Sequence, residues 1–392
     1  MNGVIFGALA LSAMALVQPS TLDFESILAR ARTDPHALRA EAERATRSRS
    51  LANTGGLLRE GPTFIAEAGS RTGPTPRSTD RSAQMEFPLL LAPGLRHEAG
   101  LRFQKSSNLM AGVAQAEARH RLRQAYLDAW LAQRELQLRR SQVDLTRSWL
   151  EVARARSANG SDPAFQPELV RGDLFRLEGE LAEGARRASE SWGALRTLAE
   201  IPETPAPLAD PGAPRFPDPQ GLAQAFECGL LNRALQEQLA SDRAGLDLQH
   251  ALRASRWSLR GSYASEGEER IARVGVSVRL PRPGESAALG LEARVHRSAL
   301  EREAETARML VRVRFQSALE RLPLHLDIAP GADFAGALRA VDLRLREGKD
   351  RPSESLALRR QLLEAENSRL RRHHDAHTLL NEIELLTLGE SR

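Results

Sequence analysis

Three histidines near the C-terminal end of this 392-residue sequence are the side chains whose spacing could support metal chemistry. His373 and His377 stand four positions apart, a spacing that places two imidazoles on one face of a helix, and His374 lies between them. A metal site would also need a third ligand or an acid held in a fixed cavity, which this pattern does not supply. A solvated helix face is therefore the prediction, with no resident metal and no cofactor.

Other signatures of catalysis are absent from the sequence. It contains no phosphate-binding loop, no His-Glu-x-x-His and no nucleophile elbow. A single cysteine, Cys228, can form neither an internal disulfide nor a metal cluster, and its helical setting predicts a buried small apolar side chain. The net charge is only +4, and no basic block with interleaved aromatics indicates nucleic-acid binding. These features favour a protein that is not an enzyme.

Two pairs of amphipathic strands dominate the remaining pattern. Strict alternation of apolar and polar residues predicts one β-hairpin at about 256–281 and an earlier one at about 62–89. Both hairpins end alike, in Phe87-Pro88 and in Leu280-Pro281. This correspondence predicts an internal two-fold repeat.

Long helices are predicted to position these hairpins. The sequence is rich in Ala, Leu, Arg and Glu and only 4% aromatic, a balance typical of coiled coils. Heptad-like spacing predicts long helices at 95–158 and 287–346, the second broken near 323–332, and return helices at 168–198 and 353–388. At 1.5 Å per residue the first would be a rod of roughly 90–100 Å. The predicted fold class is mainly α with a small β part, with long antiparallel coiled-coil helices plus two β-hairpins.

The domain organisation follows from these elements. Residues 1–18 carry an apolar run and Ala13-Met14-Ala15, which predict a signal peptide and export. The first repeat is assigned to 19–205 and the second to 221–392, each with a helix, a hairpin, a long helix and a return helix. The opening helices are predicted from Leu22 to about Asn53 and from Gly221 to Ser255. A Pro-rich connector at 206–220 joins them.

The two faces of the predicted strands differ in polarity. Strands of nine to eleven residues can span a bilayer in a barrel. A barrel has no free edge, and four strands are too few to close into one, so several copies of the chain must assemble. The predicted lipid-facing residues are Phe87, Trp257, Tyr263 and Val276. The predicted lumen residues are Arg256, Arg260, Arg273 and Arg279. A soluble hairpin pair packed on the helices is the alternative arrangement.

The order and spacing of these elements resemble the TolC-like outer-membrane efflux proteins, the channel components of heavy-metal and drug tripartite pumps. The resemblance covers nearly the whole chain after the leader. It rests on the repeat, on the strand endings at 85–89 and 274–281, and on the turns at 158–161 and 345–349. It implies a homotrimer with a twelve-stranded β-barrel in outer-membrane lipid and a periplasmic α-helical tunnel.

The same resemblance implies partners and site residues. Such channels dock to a periplasmic adaptor protein and serve an inner-membrane pump of the RND or ABC type. By position, the adaptor-docking tips would be Gly160, Ser161, Gly348 and Lys349, and the aperture candidate would be Glu354. The implied function is passive export, from periplasm to exterior, in a tripartite efflux or type I secretion system.

Two other hypotheses remain open from the sequence. Long helices alone would suit a soluble periplasmic coiled-coil scaffold or adaptor without channel activity. An exported metal-dependent hydrolase would use the three histidines. The duplicated amphipathic strands argue against the scaffold, which has no need of them. Replacing all three histidines would abolish the activity of the hydrolase and would not affect a conduit.

Overall fold

The computed structural model describes residues 21–31, 63–71, 78–89, 93–216, 218–254, 257–266, 269–278, 284–326, 334–347, 349 and 352–389. This part of the chain is mostly helical with one small antiparallel sheet, which confirms the mainly α class. The strands are β1 (Thr63–Arg71), β2 (Ser78–Pro88), β3 (Trp257–Glu266) and β4 (Glu269–Val278). The helices are α1 (Phe24–Leu28), α2 (Pro93–Ala158), α3 (Gln166–Leu198), α4 (Pro219–Glu227), α5 (Leu230–Ala254), α6 (Glu285–Leu326), α7 (Phe334–Arg346) and α8 (Pro352–Thr387).

The four strands form a single sheet in the order β1-β2-β3-β4, and all its pairs are antiparallel. β1 pairs with β2 and β3 with β4, as two hairpins would. In addition β2 pairs with β3, from Arg81 opposite Ser265 to Pro88 opposite Ser258. The two strand pairs, which the sequence predicts separately, are thus joined edge to edge.

The chain divides into two compact units, each built from separate stretches of sequence. The first unit draws on 21–31, 119–216 and 321–381 of the described residues, and the second on 63–118, 218–320 and 382–389. The sheet belongs to the second unit.

The first unit packs around buried aromatic side chains. Trp130 is 1% exposed, and Tyr126 and Trp192 are each 2% exposed. The Tyr126 hydroxyl donates to the Ala209 carbonyl at 2.7 Å, and Trp192 Nε1 donates to the Pro202 carbonyl at 3.2 Å. Burial raises the pKa of Tyr126 to about 12, so its hydroxyl keeps the proton that it donates. Tyr126 of α2 therefore holds the Pro-rich connector, and Trp192 of α3 holds the segment that leads into it, through aromatic hydrogen-bond donors.

The helical core of the second unit joins α2 to α5 and α4 to α6. Leu109 and Val113 pack against Leu230 and Ala234. The rings of Phe226 and Phe315 stack at 4.3 Å between centroids. Aliphatic side chains thus pack α2 against α5, and a stacked aromatic pair joins α4 to α6.

A single helix expected over 221–255 is broken between α4 and α5. Gly229 lies at the break, where an added Cβ would approach the Leu386 carbonyl oxygen at 2.9 Å, so glycine is required. The Leu230 amide donates to the Leu388 carbonyl at 2.7 Å. Cys228 precedes this turn and is exposed, so its prediction as a buried core residue is wrong.

Two other expected helices differ at their ends. A helix was expected from Leu22 to Asn53, but α1 ends at Leu28 and Ala31 forms a β-bridge with Ala199; residues 32–62 lie outside the described residues. α6 continues through Pro323 to Leu326, because a proline in the last turn removes one hydrogen bond without requiring the helix to stop there.

Among the described helices, none contains a stretch that is both long and apolar enough to cross a membrane.

Candidate functional site

The register of the sheet sorts its side chains onto two faces of opposite character. Paired residues in neighbouring strands point to the same side, and successive residues point to opposite sides. One side, called the apolar face below, carries Phe64, Met85, Phe87, Trp257, Leu259, Tyr263, Val274 and Val276. All four residues predicted to face lipid therefore share one face.

The apolar face is largely open to solvent in the single chain. Val274 is 82% exposed, Phe64 is 62% exposed and Val276 is 61% exposed. Trp257 and Tyr263 are 42% and 46% exposed. Contiguous exposed apolar surface of this kind on a soluble monomer is rare and marks a surface that contacts another molecule or a lipid phase.

The opposite side, called the polar face below, carries a hydrogen-bonded charge cluster. The Ser258 hydroxyl donates to Glu86 Oε1 at 2.6 Å, and Arg260 Nη2 donates to Glu86 Oε2 at 3.4 Å. Arg273 is exposed on the same face, opposite Ser262. Of the four predicted lumen arginines, Arg260 and Arg273 thus share a face, and the positions 256 and 279 lie outside the described residues.

The turn that follows α2 in the first unit closes as a Schellman motif. Gly160 adopts φ of 70°, a conformation open mainly to glycine. The Ser161 amide donates to the Arg156 carbonyl at 2.9 Å and the Gly160 amide to the Ser157 carbonyl at 3.1 Å. Arg156 Nε also lies 2.9 Å from Asp162 Oδ2. This turn is therefore sharp and well supported, as a docking tip would require.

The second predicted tip shows a related closing bond. The Lys349 amide donates to the Arg344 carbonyl at 3.0 Å, which repeats the five-residue spacing of Ser161 and Arg156. Lys349 Nζ lies 2.6 Å from Glu347 Oε2. Gly348 lies outside the described residues. Glu354 is exposed in the first turn of α8, where a carboxylate is favoured by the helix dipole.

The three histidines fasten elements of the first unit rather than forming a solvated face. His373 Nε2 and His377 Nε2 contact the Gly212 carbonyl at 2.8 and 2.9 Å, so both nitrogens act as donors. In the described part of the chain, no group of three or more His, Cys, Asp or Glu side chains could hold a metal ion. The three side chains are half-buried, because Gly212 of the connector contacts His373 and His377 while Asp128 of α2 contacts His374. The prediction of a solvated face is wrong in this respect.

His374 bridges two carboxylates. Its Nε2 lies 2.8 Å from Asp128 Oδ1 and its Nδ1 lies 3.2 Å from Asp375 Oδ1. Burial lowers the pKa of His374, but hydrogen bonds and attraction from both carboxylates outweigh burial and raise it above 6.5. For His377, burial is the largest effect and lowers the pKa.

A charged cavity between α2, α3 and α8 in the first unit was not predicted. It measures about 190 Å³. Asp173, 6% exposed, accepts hydrogen bonds from Arg176 at 3.0 Å and from Arg360. Arg359, 4% exposed, lies 5.0 Å above the Trp149 ring, and burial lowers its pKa to about 10. The available signal was an arginine placed between Leu356 and Leu363 on the α8 seam.

Comparison with known proteins identifies the fold. No family model and no curated protein matches the sequence. The CmeC outer membrane channel of Campylobacter jejuni matches with a TM-score of 0.75 at 12% identity, over 94% of this chain and 87% of that chain.

Two further solved structures match over a similar extent. The outer membrane protein VceC of Vibrio cholerae matches with a TM-score of 0.71 at 13% identity, over 94% of this chain and 97% of that chain. The open-state MtrE outer membrane channel of Neisseria gonorrhoeae matches with a TM-score of 0.71 at 19% identity, over 94% and 89%. The chain therefore has the fold of these channels.

Proposed function

We propose that this chain, which has the fold of solved outer-membrane channels, is a TolC-like channel subunit of the outer membrane. It acts as a passive export conduit of a tripartite efflux or type I secretion system. The observation that carries the proposal is the four-stranded sheet, with one exposed apolar face and one polar face that bears Arg260 and Arg273. Such two-sided strands suit a cylinder with lipid outside and water inside.

Closure of that cylinder needs further copies of the chain. In the described part of the chain, β1 and β4 have no strand on their outer sides. Unpaired backbone groups are costly in lipid, so β1 of one copy would pair with β4 of the next. Three copies would supply twelve strands, and their long helices would form the periplasmic tunnel.

The partners of the proposed channel are a periplasmic adaptor and an inner-membrane pump of the RND or ABC type. The pump would supply the energy, since the sequence has no nucleotide-binding motif. Gly160, Ser161, Gly348 and Lys349 would meet the adaptor. The matching backbone bonds of Ser161 and Lys349 support this assignment, and Glu354 would lie near the aperture.

The proposal is tested with the purified full chain. We expect it to fractionate with outer membranes, to require detergent, to have the mass of a trimer, and to raise the conductance of a planar lipid bilayer. A detergent-independent monomer without conductance would refute the channel and favour the soluble scaffold.

A histidine variant tests the hydrolase hypothesis. Simultaneous replacement of His373, His374 and His377 by glutamine should leave single-channel conductance intact. A metal-dependent hydrolytic activity that this change abolishes would instead favour the enzyme.

A further inference from the structure

Two arginines interrupt the apolar face of the sheet on the side of the hairpin turns. Within the described strands, Arg81 and Arg270 are the charged residues that the register places on this face. Arg81 pairs with Ser265, and Ser265 pairs with Arg270, so the three residues form one row across β2, β3 and β4. No acidic residue of the described strands shares the face.

This row lies at the edge of the apolar surface. Three rows towards the helices, Phe87 pairs with Leu259 and Leu259 pairs with Val276. Six residues along β2 separate Phe87 from Arg81, which is roughly 20 Å at about 3.3 Å per residue. The chain passes from the other ends of the strands into α2, α5 and α6. Apolar side chains therefore occupy the helix side of the face and arginines its turn side.

Both arginines are exposed, and neither has a hydrogen bond or an ion pair to the rest of the described chain. Arg260 on the polar face, by contrast, donates to Glu86. Two guanidinium groups without a partner among the described residues, beside an apolar surface, are well suited to a ligand that is apolar at one end and anionic at the other.

We infer that Arg81, Ser265 and Arg270 form a binding site for the phosphate-bearing headgroup of an outer-leaflet lipid. The inference rests on the proposed channel function, which puts the apolar face in the membrane. Arginine pairs with phosphate through two parallel N–H donors, and its long stem can lie along apolar surface while the guanidinium reaches the interface.

The spacing of the row fits this role. Neighbouring strands lie about 4.8 Å apart, so the Cα atoms of Arg81 and Arg270 lie roughly 10 Å apart across β3. Two arginine side chains can span that gap and hold one phosphate between them, with the Ser265 hydroxyl as a further donor. The acyl chains of the same lipid would cover Tyr263 and Ala272 in the adjoining row.

Detergent-purified protein is titrated with lipid A, which carries phosphate, and with phosphatidylcholine, which has a zwitterionic headgroup, and lipid binding is followed by native mass spectrometry. The test variant is Arg81→Gln with Arg270→Gln. The matched control is Arg260→Gln with Arg273→Gln, which removes the same charge from the polar face.

We expect the wild type and the control to prefer lipid A, and the test variant to lose roughly tenfold in lipid A affinity for each arginine. Affinity for phosphatidylcholine should change less. Unchanged lipid A binding by the test variant, or an equal loss in the control, would overturn the site.

A second variant covers the case in which the glutamine pair does not assemble. Arg81→Lys with Arg270→Lys keeps both charges but loses the two-pronged geometry, so lipid A affinity should fall between those of the wild type and the glutamine variant. Affinity equal to that of the wild type would refute the arginine geometry.

Conductance of the wild-type protein separates the two proposals. A wild type that conducts but binds lipid A independently of these arginines would refute the lipid site alone. A wild type that neither inserts nor conducts would refute the channel and, with it, the site.

Discussion

Replacing Val276 by arginine tests which surroundings the apolar face has in the assembled protein. Val276 is 61% exposed in the single chain and lies one row on the helix side of Val274, the central apolar-face residue of β4. Full burial of a valine side chain contributes about 1.5–3 kcal/mol, so insertion of this exposed share into lipid contributes about 1–2 kcal/mol. An arginine on the lipid-facing side of a barrel costs about 2–4 kcal/mol at the midplane and less towards the interfaces, so about 1–3 kcal/mol is expected one row from the centre. Val276→Arg should therefore destabilise each inserted chain by about 2–5 kcal/mol.

The neighbouring residue supplies the matched control. Ser277 pairs with Ser258 and lies on the polar face, so Ser277→Arg adds the same side chain to the proposed lumen. We expect Val276→Arg to reduce the amount of heat-resistant trimer in outer-membrane fractions at least tenfold, and Ser277→Arg to leave it nearly unchanged. Both quantities are measured on semi-native gels after fractionation.

If the sheet instead lies in water, Val276→Arg should have the opposite effect on the amount of folded protein. There Val276→Arg would remove exposed apolar surface and would improve solubility without a loss of folded protein. Wild-type trimer levels for Val276→Arg, or a larger loss for Ser277→Arg, would refute the assignment of the two faces.

Three further predictions test the helical part of the protein. Gly160→Val forces a β-branched residue into a left-handed conformation, which costs roughly 1–3 kcal/mol and should distort the turn. Gly160→Val and a bulky residue at Gly348 should both impair efflux while trimer abundance stays normal. Unaltered drug or metal susceptibility would contradict the docking assignment. The raised pKa of His374 gives stability that is fully present below 6.5, its unfolded value, and is lost as pH rises through the folded value. The difference in melting temperature between wild type and His374→Gln should therefore shrink at alkaline pH, and a constant difference would exclude this ion pairing. Asp173→Asn removes the buried partner of two arginines and should lower the free energy of unfolding by about 2 kcal/mol or more in urea, whereas an exposed control, Asp144→Asn, should change it by less than about 0.5 kcal/mol.

The sheet faces could be read from the sequence because strand alternation is a local property. Trp257 and Val276 fall on one face and Arg260 on the other through a period of two, whatever the rest of the fold does. The pairing of β2 with β3 is a different matter. It depends on two segments that no local pattern connects, so strand alternation alone could not give the register of this edge.

The misread residues are those whose surroundings come from distant parts of the chain. Cys228 is exposed because the approach of Leu386 breaks the helix at the next residue. His373 and His377 are half-buried and donate to the Gly212 carbonyl of the connector. Seam spacing finds helix faces but cannot say which charge a neighbouring helix will cover, and Arg359 was missed for that reason.

The pairing of β2 with β3 also determines the order in which the strands pair during synthesis of the chain. Ser258 and Glu86, which hydrogen-bond across it, are 172 residues apart in the chain. Closing so long a loop is entropically costly, whereas β1 can pair with β2, and β3 with β4, through residues that are close in sequence. The edge of β2 that pairs with β3 must therefore stay unpaired until β3 has been synthesised. An unpaired strand edge is prone to aggregation, so the nascent chain is most at risk during this interval.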